Sequence, residues 1–177
     1  MTMTRFACAL GVALCTHGAA QAHPSGDSHV VLRPQPDGHV LIQWDVALRD
    51  LDDELLLDSD GDGRLQAREL TARWPDIGAW AQPLVQLSTP AGPCTSLSSP
   101  ARAAPAWVRR DGEHHARLRW SVQCPRSKGQ AQVRLHYTAL SPAPDSPHRA
   151  VVRWHGDARA ERVLLGGPRQ EHVFKQR

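Results

Sequence analysis

The chain has 177 residues, 41% of them hydrophobic and 22% charged, with 21 Lys and Arg against 18 Asp and Glu for a net charge of +3. That length suits one domain with a real core, and so even a balance excludes the basic block of a nucleic-acid binder and gives no reason to expect an acidic polymer as partner. No stretch reaches the roughly 20 apolar residues of a membrane-spanning helix.

Taken in chain order, the first element is a leader. Arg5, the apolar run from Phe6 to Leu14 and the small-residue step Ala20-Gln21-Ala22 follow the order of a secretory signal peptide. Residues 1–22 are expected to be removed after Ala22, leaving 23–177 as a single extracytoplasmic domain, periplasmic or secreted. Leu14 stands where a lipidated Cys15 would need a small residue before it, so lipid attachment is not expected. Cys8 and Cys15 leave with the leader. The remaining pair, Cys94 and Cys124, in an oxidising compartment reads as a disulfide. Closing a loop of about 30 residues stabilises the fold by roughly 3.5 kcal/mol in the chain-entropy account.

Residues 29–33 and 39–48 are rich in Val, Leu, Ile and Trp, and Pro36-Asp37-Gly38 between them has turn chemistry, so a hairpin is expected. A short helix from Leu51 to Leu57 follows, its Asp52, Asp53 and Glu54 read as capping charges near the helix start. A second helix runs from Gln66 to Trp74, where Pro75 interrupts the pattern before a further turn or two up to Pro83. From Leu84 onward the period changes to two. Trp107 to Arg110 and the turn Asp111-Gly112 lead into a strand whose Ala116, Leu118, Trp120, Val122 and Cys124 alternate with Arg117, Arg119, Ser121 and Gln123. Further strands are expected from Ala131 to Tyr137, over 149–154 and over 161–165, with Pro-rich loops at 100–105 and 141–147. The fold class is therefore α+β, mostly β: a small antiparallel sandwich or open barrel with an inserted helix-loop-helix at about 51–74.

The loop inside that insertion runs from Asp58 to Glu69 and has the chemistry of an EF-hand calcium site. A hard divalent cation takes six to eight oxygens, and a twelve-residue loop of this kind supplies them from positions 1, 3, 5, 7, 9 and 12. Those positions are Asp58, Asp60, Asp62, the backbone carbonyl of Arg64, Gln66 through a water, and the bidentate carboxylate of Glu69. Gly63 occupies the sixth position, where the chain turns sharply, and Leu65 the eighth, where an apolar anchor belongs. The expected cofactor is Ca2+.

Several short stretches also carry a resemblance: Ala22-His23-Pro24, Ala47-Leu48-Arg49-Asp50-Leu51, Leu57 through Gly63, Pro93-Cys94, Cys124-Pro125 and His148-Arg149. Together they look like the extracytoplasmic domain of HupE/UreJ-like bacterial membrane proteins. Members of that family usually continue into a multi-helix membrane part akin to nickel and cobalt permeases, whereas this sequence stops at Arg177 without one. The resemblance implies a periplasmic accessory domain acting beside a separately encoded membrane protein.

The leading functional expectation is a calcium-binding module whose single loop stabilises a β-rich binding or accessory domain, since sensing loops usually work in pairs. The alternative is nickel or copper handling for a permease. Cleavage after Ala22 would give His23 a free amine beside its imidazole, a nitrogen pair that suits those ions, and His29, His39, His114, His115, His136, His148, His155 or His172 could add a ligand. Enzymatic activity is not expected, because no serine sits in an elbow motif and no histidine has metalloprotease spacing.

Overall fold

Alternating apolar residues become strand, and the strands sort into two facing sheets. The computed structural model describes residues 27–126, 132–138, 140, 148–156 and 159–175. In chain order the elements are β1 (Ser28–Pro34), β2 (His39–Ala47), α1 (Leu48–Leu55), α2 (Ala67–Ala81), β3 (Val85–Thr89), the two-residue β4 (Gly92–Pro93) and β5 (Thr95–Ser96), β6 (Trp107–Arg110), β7 (Glu113–Gln123), β8 (Gln132–Tyr137), β9 (Ala150–Trp154), β10 (Glu161–Leu165) and β11 (Glu171–Lys175). The larger sheet has the order β10-β9-β1-β2-β7-β5, with β6 also paired to β7; the smaller has the order β11-β8-β3-β4. Pairing is antiparallel except between β1 and β9. The two sheets do not close on each other, so the sandwich form of the expected fold is the one observed.

Turn chemistry sets the hairpins. Asp111 and Gly112 both have positive φ, 48° and 88°, and join β6 to β7 through a two-residue loop, the geometry that matches strand twist. At the first hairpin the Gly38 N–H donates to the Gln35 carbonyl at 3.0 Å and the Asp37 carboxylate accepts the His39 N–H at 3.1 Å. The β7 alternation holds as expected: Ala116, Leu118, Trp120, Val122 and Cys124 are buried. They meet Leu32, Ile42, Trp44, Val133, Leu135 and Tyr137 in one core cluster. Aromatic contacts organise its centre: Trp44 stacks on Trp80 with centroids 5.5 Å apart, Tyr137 meets Trp44 edge-on at 5.8 Å, and Trp154 stacks on Phe174 at 5.0 Å.

The structure departs from the sequence expectations in three places. The first helix begins at Leu48 and ends at Leu55, earlier than expected, because Leu51 and then Leu57 both insert into the core and a left-handed Leu56 must separate them. The second helix does not stop before Pro75 but runs through it to Ala81. Proline costs an interior helix about 3 kcal/mol, yet burial of a Trp or Ile side chain returns about 1.5–3 kcal/mol each, and Leu70, Trp74, Ile77 and Ala81 are buried at helical spacing on both sides of it. Packing outweighs the break. Finally, no strand was assigned where β3, β4, β5 and β11 form; in β11 Phe174 is fully buried while Glu171 and Lys175 at its ends are exposed, a pattern too short to stand out in the sequence.

Cys94 and Cys124 form the expected disulfide, with Cα atoms 4.2 Å apart. Cys94 lies between β4 of the smaller sheet and β5 of the larger, and Cys124 directly follows β7. The bridge thus clamps the point where the chain passes from one sheet to the other. Among the described residues, no helix is long and apolar enough to cross a membrane.

Candidate metal centre

The Asp58–Glu69 loop is held at both ends by buried residues. On the entry side, α1 closes with Leu56 at φ 50°, its N–H donating to the Asp52 carbonyl at 2.8 Å. Asp52 then folds its carboxylate under the turn, and Oδ1 accepts the N–H groups of Leu57 at 2.7 Å and Asp58 at 2.9 Å. Asp52 was expected near the start of the helix; because α1 begins earlier, it instead fixes the direction in which the chain enters the loop. On the exit side Leu65 packs against the core, as an apolar anchor at the eighth position should. Gly61 and Gly63 adopt φ of 70° and 73°, a region a side chain at Gly63 would make costly.

Glu69 joins the two sides. It sits in the first turn of α2, only 4% exposed. Its Oε2 accepts the N–H of the helix-capping Gln66 at 2.9 Å, the reciprocal half of a capping box. Its Oε1 accepts both the N–H and the hydroxyl of Ser59 at 2.8 Å, reaching back across the loop to its second position. The Gln66 N–H first, then the Ser59 hydroxyl and N–H, hold the Glu69 carboxyl at about 2 against an opposing effect of burial. The group is therefore an anion at neutral pH.

Carboxylate oxygens of Asp58, Asp60 and Glu69 converge so that all lie within 4.8 Å of one another. The Asp58 oxygens accept the Gly61 N–H at 2.8 Å and the Gly63 N–H at 2.7 Å, which orient the carboxylate while leaving lone pairs free. Asp60 accepts the Asp62 N–H at 3.3 Å and carries an ion pair to the Arg68 guanidinium. Asp62 stands outside the converging group. Its carboxylate accepts the Arg64 N–H at 2.8 Å and the Gln66 side-chain amide at 3.0 Å. The sequence reading missed Ser59 and Asp52 as parts of this site; only the position of Asp52 relative to a correctly placed helix end could have signalled its role.

Among the described residues the histidines do not gather into one metal-binding cluster. His23, the leader and the cleavage point lie outside the described residues. His39 pairs with Asp37 at 3.2 Å, His136 with Glu171 at 3.1 Å and His172 with Glu161 at 2.7 Å, all near the surface. His114 is exposed and His115 buried, on opposite faces of β7, while the His29 and His115 rings lie 6.0 Å apart. His148 belongs to an internal polar chain: the Ser28 hydroxyl and Tyr137 hydroxyl are 2.7 Å apart, Tyr137 Oη and His148 Nε2 3.1 Å, and His148 Nδ1 lies 3.6 Å from Asp50. Burial pushes the Tyr137 phenol well above its ordinary range, so it serves there as a neutral hydrogen-bonding group.

A second buried carboxylate lies on β2. Asp45 is inaccessible to solvent and takes Arg117 through Nε and Nη2 at 2.7 and 2.8 Å, and Arg110 through Nε at 2.7 Å. Burial alone would raise its pKa, but hydrogen bonds and charge from Arg117 and Arg110 prevail and hold it below the ordinary value.

Compared with known proteins, the chain matches no family model, and no curated protein matches it.

Proposed function

We propose that the Asp58–Glu69 loop is an EF-hand-type calcium site and that the protein is a non-enzymatic, calcium-stabilised binding or accessory module. The observation that carries this reading is the buried Glu69, ionised and tied by Ser59 to the opposite side of the loop, with Asp58 and Asp60 oxygens converging beside it. The donor set is all oxygen, as a hard cation requires. Ligands on opposite sides of a calcium ion at about 2.4 Å are about 4.8 Å apart, and the three carboxylates lie within that span. Asp62, the Arg64 carbonyl and Gln66 through water would complete the shell. Calcium would then supply one thing: a positive charge that neutralises a cluster the loop otherwise holds at a cost, joining α1 to α2. By resemblance, the setting is periplasmic or secreted and the partner a membrane protein.

Isothermal calorimetry and thermal melting of the purified protein test the reading. In millimolar calcium the melting temperature should rise above that in chelator, and Asp58→Ala combined with Glu69→Ala should abolish both the heat of binding and the rise. Identical melting in calcium and in chelator, with no heat on titration, would sink it.

A further inference from the structure

The near-neutral charge balance of the chain conceals a separation of charge in space. Eight of its 18 acidic residues lie between Asp50 and Glu69, whereas the outer face of the larger sheet is lined with arginine. Strand alternation and register place Arg162 of β10 directly opposite Arg153 of β9, with Val31 of β1, Gln43 of β2 and Arg119 of β7 continuing the same row. Arg33 lies two residues along β1 on the same face. All four arginines are exposed, and none forms an ion pair with a carboxylate of the described residues. Among the described strand residues, the acidic side chains on that face are Asp45, locked between Arg110 and Arg117, and Glu113, which lies 3.6 Å from Arg49. Like charges directly opposite across two strands repel, so an anion bound at the Arg153–Arg162 pair would relieve that repulsion. Two of the large exposed aliphatics of the chain share the face: Leu41, 46% exposed, and Leu164, 49% exposed.

From this placement we propose that the outer face of the larger sheet docks on an anionic phospholipid surface. From Arg162 to Arg119 spans four strand spacings, about 19 Å, wide enough to engage several headgroups at once. Guanidiniums spaced along one row present several cations to a plane of phosphates, and long basic side chains can spread over it while their stems cover apolar surface. The leucines decide between partners. A purely charged polymer such as polyglutamate gains nothing from exposed aliphatic side chains, whereas a bilayer takes them into the boundary between headgroups and acyl chains.

Vesicle co-sedimentation of the polypeptide His23–Arg177, which contains every described residue, tests this in chelator so that bridging by calcium cannot contribute. Binding is expected to vesicles of mixed phosphatidylcholine and phosphatidylglycerol, to fall with added salt, and to be weak on phosphatidylcholine alone. Each basic residue at an anionic surface multiplies affinity about fivefold, so Arg153→Gln with Arg162→Gln should lower partitioning about 25-fold, and the Glu substitutions further still. Leu41→Ser with Leu164→Ser should weaken vesicle binding most at high salt. Equal binding to neutral and anionic vesicles overturns the proposal, as does indifference to the arginine changes in variants that melt like the parent. Binding to soluble polyglutamate as tight as to vesicles, with no effect of the leucine changes, would overturn it in favour of an acidic protein partner.

Discussion

Glu69 and Asp45 are both buried carboxylates held ionised, yet they are held in opposite ways. Glu69 is tied by N–H and hydroxyl groups of its own loop and sits beside two more carboxylates, so the charge around it remains negative. Asp45 is gripped by two guanidiniums that engage both oxygens and reverse the local charge. Neutral donors hold a carboxylate in place without cancelling it, and such a group can still receive a cation. Guanidiniums hold a carboxylate by cancelling it. The first arrangement is the kind the proposed ion site needs; the second is complete without an ion, a brace across β2, β6 and β7.

The largest expected effect tests the brace. Removing one partner of a buried ion pair costs about 3–5 kcal/mol because the other charge is left uncompensated, and Asp45→Asn leaves two guanidiniums facing a neutral amide. Chemical denaturation should show a loss of that order, the same in calcium and in chelator. A calcium-dependent loss would break the comparison, since it would couple the brace to the loop.

Next is the loop itself. A ligand present at about a hundredfold its dissociation constant stabilises the folded state by about 2.7 kcal/mol, and Glu69→Gln should erase that increment while leaving most of the stability measured in chelator. Melting with and without calcium gives both numbers in one experiment. If Glu69→Gln instead lowers stability equally in both buffers, Glu69 is a helix cap and a tie to Ser59 and nothing more.

Acid separates the two carboxylates in another way. Asp45 has a folded-state pKa below its ordinary value, so its contribution is fully present above the ordinary aspartate range near 3.9 and is lost as pH falls through the depressed folded value. The stability gap between parent and Asp45→Asn, measured in chelator, should therefore be constant from neutral pH down to about 5 and shrink below about 4. A gap that widened on acidification would mean that Asp45 folds protonated and that the arginines do not hold it.

Legibility from the sequence follows the same division. The loop stood out as a motif because its candidate ligand positions all fall within one twelve-residue stretch, and β7 could be read because the alternation of Ala116, Leu118, Trp120 and Val122 with Arg117, Arg119 and Ser121 fixes both its faces. The disulfide could be read because, once Cys8 and Cys15 are assigned to the expected leader, Cys94 and Cys124 are the pair that remains. What could not be read depends on distant partners. Asp45 looks like one more polar residue interrupting β2, and only the register that sets it opposite Arg117 shows its role. Helix α2 continues past Pro75 because Ile77 and Ala81 find the core, a tertiary gain that local propensity does not contain. The arginine face is spread over β1, β7, β9 and β10, and a net charge sums it with the acidic loop to almost nothing.

The smallest expected effect concerns how open the loop cluster is. Arg68 already supplies a cation to it, pairing with Asp60, and the side-chain amide of Gln66 lies 3.5 Å from the same Asp60 oxygen. Arg68 is largely exposed, and an exposed ion pair is worth at most about 1 kcal/mol, so it cannot close the site as the two arginines close Asp45. It can compete. If a calcium ion must take that oxygen from the guanidinium, Arg68→Gln should tighten calcium binding by up to about fivefold in calorimetry, with little change in melting in chelator. A weaker site in Arg68→Gln would mean that Arg68 orients Asp60 for the ion, and the distinction between an open and a cancelled carboxylate would then rest on Glu69 and Asp58 alone.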